Sequence, residues 1–204
     1  MGFLAFNGQK PDIVAPKIEE SLRTELATTA PVSFTIETGD ATPTTAGSVM
    51  KEGLGLLFGG RAESILFTVH FSLPPPRPAT LAVHVARQGI GSHVSGLLYF
   101  AALSKVASGE AMLDEKGKFQ GDAALAAKLN GDKALLKRCV ALSRTTANLG
   151  GVDVTVPRFF KLAPDGKGTA LVVGTLPKVG MLGFKVTLDA KEFLDLSTAI
   201  EALL

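Results

Sequence analysis

Three histidines, His70, His84 and His93, are the residues of this chain whose chemistry suits metal binding or a proton-linked switch. Two of them lie in matching contexts, Val69-His70-Phe71 and Val83-His84-Val85, on either side of the segment Pro74-Pro75-Pro76-Arg77-Pro78. If that segment is a hairpin loop with Leu73 opposite Leu81, then Val69 faces Val85 and His70 stands directly opposite His84. Cross-strand Cβ atoms would then be about 5 Å apart, close enough for two imidazoles to share one ion. Neither strand carries Asp or Glu, which leaves His93 as the one further imidazole. The three histidines are therefore the candidate ligand-binding or metal set, and no cofactor motif accompanies them.

Other chemistry is weaker on the page. Gly53 to Ala62 (GLGLLFGGRA) has Gly55 and Gly60 at phosphate-loop spacing, but Arg61 and Ala62 replace the required Lys and Ser or Thr. A strand pattern follows it, whereas phosphate binding needs a helix N-terminus. Met50 and Phe58, around that glycine segment, are candidates to line an apolar pocket or to touch a membrane surface. The segment has few Lys or Arg, so membrane contact is not expected. Gly91-Ser92-His93-Val94-Ser95-Gly96 does not match the nucleophile-elbow pattern. Cys139 falls on the apolar stripe of a helix and reads as a core residue. Asp122, Asp132 and Asp189 sit where helices begin, and Asp189 with Glu192 forms a capping-box pattern, which leaves no acid pair for general acid–base work.

The elements that must position these residues follow from periodicity. Residues 12–27 read as a helix with Pro16 in its first turn and Ile18, Leu22 and Leu26 on one stripe. Residues 32–38 alternate as a strand, and 46–58 read as a helix weakened by two glycines. In 64–73, Ile65, Phe67, Val69, Phe71 and Leu73 face one side, with Leu66, Thr68, His70 and Ser72 on the other; 80–87 behave likewise. The proline segment could serve as a polyproline ligand, but apolar strands abut it on both sides, and it reads as a rigid hairpin connection. Helices are expected at 122–129, 133–146 and 190–203, and strands at 152–163, 169–176 and 182–188.

A shift of 89 residues aligns Phe71, Leu73, Pro75, Thr80, Val83 and Gly91 with Phe160, Leu162, Pro164, Thr169, Val172 and Gly180. The fold class expected is α+β: a duplicated helix–three-strand–helix unit, with antiparallel sheet and helices packed on one side. The chain would form a single domain, with pseudo-repeat halves at 1–118 and 119–204.

Composition narrows the function classes. The chain has 204 residues, 46% hydrophobic and 20% charged, with a formal charge of +2, no Trp, one Tyr and one Cys. A single cysteine forbids an internal disulfide. The weak charge and the scarcity of aromatics argue against nucleic acid. No secretion or lipidation signal stands at the N-terminus, and a cytoplasmic location is expected. The reading is a non-enzymatic protein that binds a partner protein or a small apolar ligand. Its second hairpin is apolar on both faces, which a homo-oligomer would cover. The alternatives are an enzyme of unknown class with a site between the halves, and a peripheral membrane protein.

Overall fold

The computed structural model describes residues 6–7, 10–39, 64–72, 78–88, 91–149, 152–166, 168–175, 185–186 and 188–204. In chain order these form β1 (Phe6–Asn7), α1 (Pro11–Thr29), β2 (Phe34–Gly39), β3 (Ser64–Phe71), β4 (Ala79–Gln88), β5 (Gly91–Leu103), β6 (Ala111–Leu113) and β7 (Phe119–Gly121). There follow α2 (Ala123–Gly131), α3 (Lys133–Leu142), β8 (Arg144–Leu149), β9 (Val152–Asp165), β10 (Gly168–Thr175), β11 (Lys185–Val186) and α4 (Ala190–Leu203). Eight strands run in the order β11-β8-β9-β10-β5-β4-β3-β2, with β1 attached to β5 and the β6–β7 ladder attached to β9. Every pairing is antiparallel. The fold is mixed α+β. No described helix is long and apolar enough to cross a membrane.

Helix α1 starts earlier than its sequence pattern predicts, because Pro11 takes the first helical position, where a missing N–H costs nothing. Pro16 therefore lies in the second turn, on the exposed side. Val14, Ile18, Leu22 and Leu26 recur every four residues and are buried. They join one large core with the inward stripes of the other three helices and with Phe67, Val69, Leu81, Val83, Tyr99, Leu171 and Val173 of the sheet. The opposite sheet face carries a second, smaller cluster of Leu66, Ala82, Leu98, Phe100, Ala170 and Val172. All four described helices belong to the first core, so they pack on one side of the sheet. Helix α3 stops at Leu142, four residues short of its expected end. Thr145 and Thr146 are β-branched and pair in β8 with Val156 and Thr155 instead.

The β3–β4 hairpin keeps the expected faces but slips by four residues. Phe71 pairs with Ala79, Val69 with Leu81 and Phe67 with Val83. An even slip leaves every side chain on its side of the sheet, so hydrophobic alternation cannot detect it. Pairing runs up to the proline segment, and the carbonyl of Pro78 accepts a hydrogen bond from the Ala102 N–H of β5. Residues 73–77 lie outside the described residues.

The β9–β10 hairpin turns more tightly, with Asp165 opposite Gly168 and Gly166 in the left-handed region at φ 61°. Phe160 pairs with Val173, whereas the aligned Phe71 pairs with Ala79. The expected third strand of that unit is also placed differently. β11 pairs with β8, and the neighbour of β10 is β5. Residues Thr169 to Thr175 of β10 are all buried within a single chain. At Gly174 a Cβ would lie 2.7 Å from Leu98 Cδ1 and 2.9 Å from the Phe159 ring, so only glycine lets those side chains close over the strand.

Candidate functional site

The slipped register separates the histidines. His70 stands opposite Thr80 on β4 and Thr35 on β2, while His84 stands opposite Leu66 and Gly96. Four residues of strand, roughly 13 Å, divide them along the ladder. His84 is 3% exposed. His70 Nε2 lies 3.3 Å from Glu37 Oε2 but makes no hydrogen bond. His93 occupies β5 opposite Ala86. Met50 and Phe58 fall outside the described residues. Among the described residues no group of three or more His, Cys, Asp or Glu could hold a metal ion. Cys139 is buried, which pushes its thiol up to about 12 and leaves it un-ionised at neutral pH.

Polar groups converge elsewhere, where β9 changes partners. Val152–Pro157 pair with β8, and Arg158–Asp165 pair with β10. Pro157 has no N–H to continue a ladder, and the Arg158 N–H turns to the Ser143 carbonyl at 2.7 Å. The Arg158 side chain is fully buried. Its Nη1 donates to Asp189 Oδ2 at 2.6 Å and to the Leu142 carbonyl at 3.3 Å, and its guanidinium carbon sits 5.6 Å from the centre of the Tyr99 ring. The Tyr99 ring stacks at 5.1 Å on Phe193, and its hydroxyl oxygen accepts from the Asp189 N–H at 2.9 Å. One residue earlier, the Leu188 N–H donates to Glu25 Oε1 of α1 at 3.1 Å. Burial raises the pKa of the Tyr99 phenol well above its ordinary range, and burial likewise raises that of Glu25 against the opposing Leu188 hydrogen bond.

This arrangement overturns the capping-box expectation at α4. The Asp189 carboxylate makes no cap hydrogen bond because Arg158 holds it, and Glu192 accepts from Arg138 Nε at 2.8 Å. Asp122 and Asp132, with no buried cation to serve, do cap their helices: Asp122 accepts from Leu125 N–H, and Asp132 from Ala134 and Leu135 N–H.

Against the Arg158–Asp189 pair lies a cleft of about 440 Å³ between the C-terminal half of α3 and the first turn of α4. Ala141 and Leu142 supply aliphatic surface. Around them stand the cations Lys137, Arg138 and Arg144 and the carboxylates Asp189 and Glu192. Two ion pairs use Arg138, Asp189 and Glu192, and Lys137 and Arg144 have no carboxylate partner among the described residues. Compared with known proteins, the chain matches no family model, no curated protein and no solved structure.

None of the cleft residues was singled out as a binding residue from the sequence. One signal was there to be read. Arg158 interrupts Val156-Pro157-Arg158-Phe159-Phe160, and a charge inside an apolar strand must find a buried partner. Arg144 was hidden by the expectation that α3 continues through residue 146.

Proposed function

We propose that the protein is a non-enzymatic binding protein that holds a small, largely apolar ligand in the cleft between α3 and α4. One observation carries this reading: an aliphatic floor, Ala141 and Leu142, beside two carboxylates held by arginines, Asp189 by Arg158 and Glu192 by Arg138. A space of about 440 Å³ lies within the range of small-molecule sites. The wall is preorganised. Leu188 and Asp189 are pinned through their N–H groups to Glu25 and Tyr99, and the Asp189 carboxylate to Arg158, so a ligand meets a surface already ordered. The reading does not depend on whether the two hairpins arose by duplication, and it needs no second copy of the chain.

The test is nitrogen-15 NMR of the labelled protein titrated with eight-carbon probes: octan-1-ol, octanoate and octylammonium. Saturable shifts at the amides of Ala141, Leu142 and Glu192 with at least one probe are expected. Shifts confined to other parts of the chain would refute the cleft as the site. Native mass spectrometry of the purified protein at low collision energy is the companion measurement, because a retained mass of a few hundred daltons would identify a resident ligand.

A further inference from the structure

Resting on that reading, we infer that the cleft selects acids: its ligand is an amphipathic monoanion, an apolar chain or ring ending in a carboxylate that seats between Lys137 and Arg144. The argument is one of charge. Three cations and two carboxylates line the cleft, and a fourth cation, Arg158, is buried behind it against Asp189. Arg138 is matched by Glu192 at 2.8 Å and Arg158 by Asp189 at 2.6 Å. The unmatched charge is positive and belongs to Lys137 and Arg144, both exposed. They come from different elements, the exposed side of α3 and the first residue of β8, and both line the cleft.

An arginine fork can take both oxygens of a carboxylate, and a lysine adds a point charge beside it. Asp189 and Glu192 set the upper limit on ligand charge, because they stand at the start of the facing helix and repel a second negative group. A cationic ligand would face Lys137 and Arg144 with no free carboxylate to receive it. The aliphatic floor then accounts for the rest of the molecule.

The experiment compares octanoate, octan-1-ol and octylammonium by the same NMR titration, in the wild type and in the double variant Lys137→Gln, Arg144→Gln. Both substitutions are on exposed side chains, and thermal unfolding checks that the fold is kept. Octanoate is expected to bind at least about tenfold more tightly than octan-1-ol, and the advantage should vanish in the double variant and shrink with added salt. Equal or tighter binding of octan-1-ol or octylammonium would overturn the acid class while leaving the cleft reading in place. An octanoate preference that survives the double variant would overturn the assignment to Lys137 and Arg144. Failure of all three probes to shift the cleft amides would overturn both the inference and the reading beneath it.

Discussion

Two of the ion pairs that take a partner from this sheet differ in almost everything except their charges. His70 of β3 and Glu37 of β2 sit two positions apart in the β2–β3 register and approach to 3.3 Å, with side chains 34% and 74% exposed. Arg158 and Asp189 meet at 2.6 Å, with Arg158 at 0% and Asp189 at 32%. The first pair lies next to an exposed strand, exists as a pair only when the imidazole is protonated, and has a carboxylate for which water is a ready alternative. In the second the cation is fully buried, so removing the carboxylate takes the Asp189 counter-charge from a guanidinium that water does not reach. Burial, more than charge or distance, decides which pair organises its surroundings. The buried one ties β9, β5, α1 and α4 together through Tyr99, Glu25 and the start of α4, and the cleft forms against it.

The sharpest way to break this contrast is to remove Asp189. Asp189→Ala should lose about 3–5 kcal/mol in urea unfolding, and adding Arg158→Met should recover most of it by replacing the stranded charge with apolar volume. A loss no larger than that of Glu37→Ala would sink the comparison. Next comes Tyr99→Phe, which keeps the ring against Phe193 and Arg158 but removes the acceptor of the Asp189 N–H; about 1–3 kcal/mol should be lost in the same assay.

A smaller effect should appear at Glu25, with a definite sign. Because burial raises its folded pKa, its contribution to stability is fully present below the unfolded carboxylate value of about 4.3 and is lost as pH rises through the folded value. Glu25→Gln keeps an acceptor for Leu188 and should therefore unfold at a higher temperature than wild type at pH 7, with the gain disappearing near pH 4. An equal gain at both pH values would show that ionisation is not the cause. The smallest change belongs to the exposed pair: Glu37→Ala should cost less than about 1 kcal/mol, and that little should fade in high salt.

Local pattern carried much of the architecture. The range 190–203 was legible because Phe193, Leu196, Ile200 and Leu203 repeat at helical spacing, and it is the range observed. The two faces of β3 were legible because alternation has a period of two, and the large core takes Ile65, Phe67, Val69 and Phe71 as expected. The caps at Asp122 and Asp132 were legible because a cap is satisfied within three residues. Burial of β10 on both faces followed from Leu171-Val172-Val173, although the same chain provides the cover.

What the sequence determined by itself, then, is which faces are apolar and where most helices begin, since these depend on neighbours a turn or a pleat away. Tertiary structure decided the rest. The β3–β4 register was open because a slip of four residues preserves every face, and that slip alone separates His70 from His84. The fate of Asp189 was open too. Glu192 three residues on made a local cap look sufficient, but Arg158, 31 positions away in sequence, has no water once its strand is buried. A buried cation outcompetes exposed helix N–H groups that solvent can satisfy, and that competition exists only after β9 and α4 have packed together.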